Sequence, residues 1–298
     1  MQKMKPKDWQ VWMIKPSESL VRPLSITEAL REAARDLATV SMTARLDTEL
    51  LMAHSLGIER DALLLGSWGE KEAPLSFFEA IKRRKQNEPV AYILGYRDFW
   101  TLRLTVTPDV LIPRPDSETL IETAIAYFRE QAFLPENILD LGTGSGALLL
   151  AALDEWKDAK GLGVDASPEA IKIARLNADK CGALPRVEFK IGHWGRGIQQ
   201  KFDLLLCNPP YIARDAMMPA DVLHYEPHLA LFSGDEGLDD YREIIPGIPS
   251  LLTERGIACL EIGFDQAENV SMIAKETGLR SRIFYDLEQR PRCVLLSR

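Results

Sequence analysis

From residue 137 onward the chain alternates apolar runs of strand length with stretches of helical spacing: "NILDLG", "GALLLAALDEW", "GLGVDA", "SPEAIKIARLNADKCG", "VEFKIG" and "FDLLLC". Strands that are apolar on both faces, each parted from the next by a helix-length segment, belong to a parallel sheet with helices on either side. The class is α/β. The pattern continues with a helix expected over about 239–255, the strand "IACLEIG", a helix over about 266–277 and β-like runs at 280–285 and 293–297.

The front of the chain reads differently. Ser25-Ile26-Thr27-Glu28 has the S-x-x-E form of a capping box, and amphipathic stretches follow at about 44–55, 60–65 and 75–84, the first ending near the C-cap signal Gly57. These predict a small helical bundle over 25–87. The segment "AYILGYRDFWTLRLTVTP" at 91–108 turns β-rich, with Gly95 as a turn signal, and predicts a β-hairpin linker over 88–110. A catalytic domain over 111–298 completes the division, and residues 1–24 form an extension with no assigned role.

Charge narrows the partners. The net charge is −8, and it is uneven: residues 1–100 carry 15 Lys and Arg against 14 Asp and Glu, leaving 21 against 30 behind. An acidic major domain is a poor match for duplex phosphates, which are met by clustered basic side chains. Cys181, Cys207, Cys259 and Cys293 have no C-x-x-C spacing, so neither a metal site nor a disulfide framework is expected. No apolar run suits a signal peptide or a membrane span. A cytoplasmic protein with small-molecule or protein ligands is the expectation.

Between the first strand of the alternation and its helix stands Asp140-Leu141-Gly142-Thr143-Gly144-Ser145-Gly146. Glycines there permit a tight turn and close approach of a ligand to the free amides of a helix start. The loop also fits the relaxed dinucleotide fingerprint G-x-G-x-x-A, with Asp165 about 20 residues on, so an NAD-dependent oxidoreductase competes. Asp140 weighs against it, because a carboxylate there faces the phosphates. S-adenosylmethionine has no phosphate and carries a sulfonium and an ammonium, which makes the same carboxylate attractive. Asp165 then accepts from the ribose hydroxyls, or else serves as an N-cap to the helix opened by Pro168.

The strand "FDLLLC" ends in Asn208-Pro209-Pro210-Tyr211, on the sheet edge where such folds bind ligands. Proline fixes φ and holds the preceding residue extended. Asn208 and Pro209 are thereby stiffened with their carbonyls available to a planar NH2, and Tyr211 offers a flat ring. Asn208, Pro209 and Tyr211 are the candidate catalytic residues and Asn208 to Tyr211 the candidate substrate site. The alternative is a Pro-Pro loop that merely ends the strand.

Together with "EPVAYILGYRDFW" (88–100), "LIPRPDSE" (111–118), "YEPHLALFSGDEGLDDYR" (225–242) and "EIGFDQ" (261–266), these motifs resemble the release-factor glutamine N5-methyltransferases, the HemK/PrmC family, over roughly residues 25–298. The resemblance implies a seven-stranded, Rossmann-like, S-adenosylmethionine-dependent methyltransferase domain. It further implies methylation of the glutamine in the Gly-Gly-Gln motif of class I peptide-chain release factors, with no metal and no direct nucleic acid or membrane partner. Asp140, Leu141, Gly142, Thr143, Gly144, Asp165, Trp194 and Asn208 fall on the family's cofactor positions. Arg114 and Glu118 lie in its I-P-R-P-D-[ST]-E block near the site, or else mark an acidic helix start. Trp194 is a stacking surface or a core residue. His193 stands where the family commonly has Asp. A DNA or RNA adenine N6-methyltransferase, sharing the same site logic, and a non-catalytic adaptor are the other readings.

Overall fold

The computed structural model describes residues 23–298, so the extension expected at 1–24 lies, but for its last two residues, outside them. Two compact units divide between Ile81 and Lys82. In the first, α1 (Ile26–Leu37), α2 (Ala44–Leu56), α3 (Arg60–Leu65) and the start of α4 (Leu75–Lys85) bury Ile26, Leu37, Leu51, Met52 and Phe77. Both halves of the capping box form. Glu28 N–H donates to Ser25 Oγ, and Ser25 N–H donates to Glu28 Oε2 at 3.0 Å. Gly57 ends α2 with φ 66°, the left-handed conformation expected of a C-cap.

The second unit opens with α5 (Val90–Leu94) and a hairpin of β1 (Tyr96–Phe99) and β2 (Leu102–Thr105). Here the structure corrects one expectation. Gly95 (φ 78°) caps α5 and does not turn the hairpin; that turn falls at Trp100, with φ 55°. A helix of five residues is too short to show a periodicity in sequence.

Next come α6 (Glu118–Glu130), β3 (Asn137–Leu141), α7 (Ala147–Glu155), β4 (Lys160–Asp165), α8 (Pro168–Lys180), β5 (Val187–Ile191) and β6 (Phe202–Cys207). After these follow α9 (Ala220–Tyr225), α10 (Asp239–Ile244), α11 (Ile248–Leu251), β7 (Leu252–Glu261), α12 (Ala267–Glu276), β8 (Arg280–Tyr285) and β9 (Pro291–Ser297). The helix expected over 239–255 is interrupted by a tighter turn at Ile245–Gly247, which contains Pro246, and β7 begins at Leu252, earlier than the strand "IACLEIG". An irregularity in its pairing with β6, between Phe202 and Leu204, absorbs the residues that mask the strand's period.

The seven-stranded sheet runs β5-β4-β3-β6-β7-β9-β8. Strands β3 to β7 pair in parallel, and β9 is antiparallel to both its neighbours. Alternate side chains serve two cores. Ile138, Leu204, Leu206 and Ile257 meet α6, α7 and α8, while Leu139, Leu205, Ala258 and Leu260 meet α10, α11 and α12. Because β3 has β4 on one side and β6 on the other, the chain leaves its C-terminal end in opposite directions, which opens a crevice there.

A buried amide is one of the groups that fasten the hairpin beside this crevice. Asn177 on α8 accepts from Thr105 N–H at 2.8 Å and donates to the carbonyls of Thr105 and Ser145 at 3.0 and 2.9 Å.

Candidate active site

A cavity of about 900 Å3 occupies the crevice, at the upper end of the range for small-molecule sites. The glycine loop, the end of β4 and the segments after β5 and β6 contribute to its wall, with residues 108–111, 113, 227–230 and 232 adding further lining. Gly142 has φ 72°, and a Cβ there would stand 3.2 Å from the Trp194 ring and 3.9 Å from the Asn208 carbonyl oxygen. A bare α-carbon at Gly142 is therefore what lets the loop, Trp194 and Asn208 converge. The loop amides of Gly142 and Thr143 both donate to the Val164 carbonyl, at 2.9 and 3.0 Å.

Asp140, the last residue but one of β3, is almost wholly buried. One of its oxygens accepts from the Thr143 hydroxyl at 2.6 Å, while Oδ1 is buried with no hydrogen-bond partner among the described residues. Burial raises its pKa to about 7; the Thr143 hydrogen bond opposes this and the charge of Asp165 adds to it. Asp165 accepts from Gly144 N–H at 2.8 Å and from Ser167 N–H at 2.9 Å, and its pKa too is raised by burial. The helix N-cap is Ser167, whose hydroxyl accepts from Ala170 N–H, so Asp165 is not spent on capping α8. Trp194 sits at φ 49° with its indole Nε1 also buried and without a hydrogen-bond partner among the described residues.

Of the expected site residues, Asp140, Gly142, Thr143, Gly144, Asp165, Trp194, Asn208 and Pro210 line the cavity. Leu141 turns its side chain into the core against α10 to α12. Pro209 and Tyr211 are not among the lining residues. The Tyr211 hydroxyl instead donates to Glu261 Oε1 at 3.1 Å behind the wall, and burial, followed by the charge of Glu261, raises its pKa. Arg114 pairs with buried Glu226, which also accepts from Ile112 N–H at 3.1 Å. Glu118 accepts from Trp100 N–H at 2.8 Å and so secures the hairpin turn. His193 lies within 3.1 Å of Glu243 and stacks edge-on to Trp194.

Five carboxylates line this cavity, those of Asp109, Asp140, Asp165, Glu169 and Asp240, and no Lys or Arg does among the described residues. Such a lining repels a pyrophosphate and attracts a cation. The free acceptor on Asp140 and the free donor on Trp194 mark where polar groups of a ligand would complete the hydrogen bonding. Both features fit S-adenosylmethionine. Sheet order and site together define a methyltransferase of the S-adenosylmethionine-dependent class.

Comparison with known proteins gives the particular family. The family described as PrmC N-terminal domain matches residues 28–95, and a methyltransferase domain family matches residues 135–279. The release factor glutamine methyltransferase of Rhodospirillum rubrum is 39% identical over 259 residues, 85% of this chain and 79% of that protein. Its namesake from Cereibacter sphaeroides is 39% identical over 273 residues, 90% of this chain and 96% of that protein. The chain belongs to the release factor glutamine methyltransferase family. A solved structure of the hMettl16 catalytic domain in complex with the MAT2A 3'UTR hairpin 1 shares the fold, with TM-score 0.55 and 12% identity over 83% of this chain and 90% of that one.

Sequence reasoning did not reach Ser117 and Glu261. Ser117 Oγ lies 3.2 Å from Asn208 Nδ2 and donates to Glu261 Oε2. Both belong to motifs quoted above, "LIPRPDSE" and "EIGFDQ", yet nothing in either indicates that they meet. Among the described residues no helix is long and apolar enough to cross a membrane, and no group of three or more His, Cys, Asp or Glu could hold a metal ion.

Proposed function

We propose that the chain methylates the side-chain nitrogen of the glutamine in the Gly-Gly-Gln motif of class I release factors, with S-adenosylmethionine as methyl donor. The observation that carries this is the neighbourhood of Asn208, an uncharged amide in the wall of a cavity lined by five carboxylates and, among the described residues, by no Lys or Arg. A cationic donor fits the carboxylate lining, and a neutral planar nitrogen fits the amide.

Asp140 Oδ1 would take the positive amino end of the cofactor, Asp165 its ribose hydroxyls, and the ring of Trp194 its flat base. When bound, the cofactor supplies an activated methyl on sulfur. Asn208 Oδ1 and the Pro209 carbonyl accept the two N–H groups of the substrate amide, and the Tyr211 ring closes the site behind them. That methyl would pass to the substrate nitrogen, leaving the sulfur neutral, and the nitrogen would give one proton to water. No base is needed before transfer. The acceptors strengthen as positive charge grows on nitrogen, so orientation and preorganised dipoles lower the barrier. The first unit, with its exposed apolar side chains, docks the protein substrate, which also puts the enzyme in the cytoplasm with the translation machinery.

Label transfer tests this reading against its rival. With methyl-labelled cofactor, label should enter release factor and not adenine-containing DNA or RNA; the reverse result would identify an adenine methyltransferase.

A further inference from the structure

Behind Asn208 lies a chain of hydrogen bonds that methyl transfer itself does not require. Glu261, at the end of β7, is 1% exposed and accepts from two hydroxyls, that of Ser117 at 2.5 Å and that of Tyr211 at 3.1 Å. Ser117, 3% exposed, lies 3.2 Å from Asn208 Nδ2. Burial raises the Glu261 pKa, and this is opposed first by the Ser117 hydroxyl and then by the positive charge of Arg292 on β9, which pairs with Asp116 at 3.2 Å and Asp286 at 3.3 Å.

A hydroxyl has one proton to donate. That of Ser117 goes to Glu261, so Ser117 Oγ has only lone pairs to offer Asn208. The Asn208 amide must meet those lone pairs with its NH2, which turns Oδ1 away from Ser117. Asn208 lines the cavity, and its Oδ1 accepts no hydrogen bond from the described residues. Reversing the amide would exchange acceptor for donor at nearly the same point. The donor would then face the NH2 of a glutamine but suit the carboxylate of a glutamate.

We propose that Glu261, acting through Ser117, is a positioning residue that sets the rotation of the Asn208 amide and thereby makes the site select a glutamine side chain over a glutamate. This rests on the glutamine reading given above.

The full-length chain should be compared with its Glu261→Gln and Ser117→Ala variants, using release factor and a release factor whose motif glutamine is changed to glutamate. Three quantities are read: the single-turnover methylation rate, cofactor affinity, and the ratio of dissociation constants for the two release factors. Both variants should lose about tenfold or more in rate and about fivefold or more in the ratio, while cofactor affinity stays within about threefold. Ser117→Ala decides, because it leaves every charge in place, whereas removing the Glu261 charge eases entry of a carboxylate by itself; it also carries the test alone if Glu261→Gln does not fold. Ser117→Thr keeps the hydroxyl and should restore the ratio. A Ser117→Ala protein that loses rate with an unchanged ratio, or loses neither, overturns the proposal. Failure of the unaltered chain to methylate glutamine would instead overturn the functional reading, and the inference with it.

Discussion

In the proposed reaction Asn208 is the residue on which the chemistry turns. Replacing it by Ala removes an acceptor whose worth grows in the transition state, so single-turnover methylation should fall about 10²- to 10³-fold, by analogy with the loss of one oxyanion-hole donor. Cofactor affinity, measured by calorimetry, should change far less. Asp140 gives a second expectation at this scale. Its folded pKa of about 7 lies above the usual carboxylate value, chiefly through burial, so its ionisation costs stability. That cost is absent below about pH 4, grows as pH rises toward 7 and is complete above. A cationic cofactor reverses the preference. Binding should therefore release a proton near pH 6, and affinity should weaken below pH 7 by up to about tenfold per unit and level off above it. Calorimetry in buffers of different ionisation enthalpy checks this, and Asp140→Asn should bind more weakly with no such slope. A slope that survives the substitution would move the titration elsewhere. At this scale the places of Asp140, Asp165 and Asn208 on the cavity wall were legible, because each lies near a strand end with a motif around it. Ser117 and Glu261 were not, since a contact across 144 positions leaves no local signal.

Among the elements, the long apolar ones were legible and the short ones were not. The apolar runs of β3, β4 and β6 announce buried parallel strands, and the capping box at Ser25 fixes the start of α1. Five-residue α5 hides in a β-rich stretch, and α9, at 220–225, lies in a segment to which the sequence assigned no element. The start of β7 is obscured by its irregular pairing with β6. Among the links from hairpin to helices, Asn177 is the wholly buried one. Asn177→Ala would leave Thr105 N–H and the carbonyls of Thr105 and Ser145 without this partner. At about 1–3 kcal/mol for an orphaned buried group, discounted because Thr105 is half-exposed to water, the loss should be about 2–3 kcal/mol. Urea unfolding measures it, and a change below about 1 kcal/mol would mean that water replaces the amide without loss.

For the whole molecule, the acidic balance and the two-unit organisation suit a small catalytic site that receives a protein side chain. In the first unit Leu65 is 89% and Leu75 82% exposed, apolar surface that a docking role would use. Changing both to Ser should raise KM for intact release factor about tenfold or more, while the rate on a short Gly-Gly-Gln peptide stays the same. Equal effects on protein and peptide would remove the docking role. Mass spectrometry of a class I release factor incubated with the full-length chain and S-adenosylmethionine shows whether the glutamine is the methylated group. One added methyl group is expected, located by fragmentation on the glutamine of Gly-Gly-Gln and absent when Asn208→Ala enzyme is used. A methyl group on any other residue, or none on a release factor exposed to cofactor-bound enzyme, would contradict the glutamine reading.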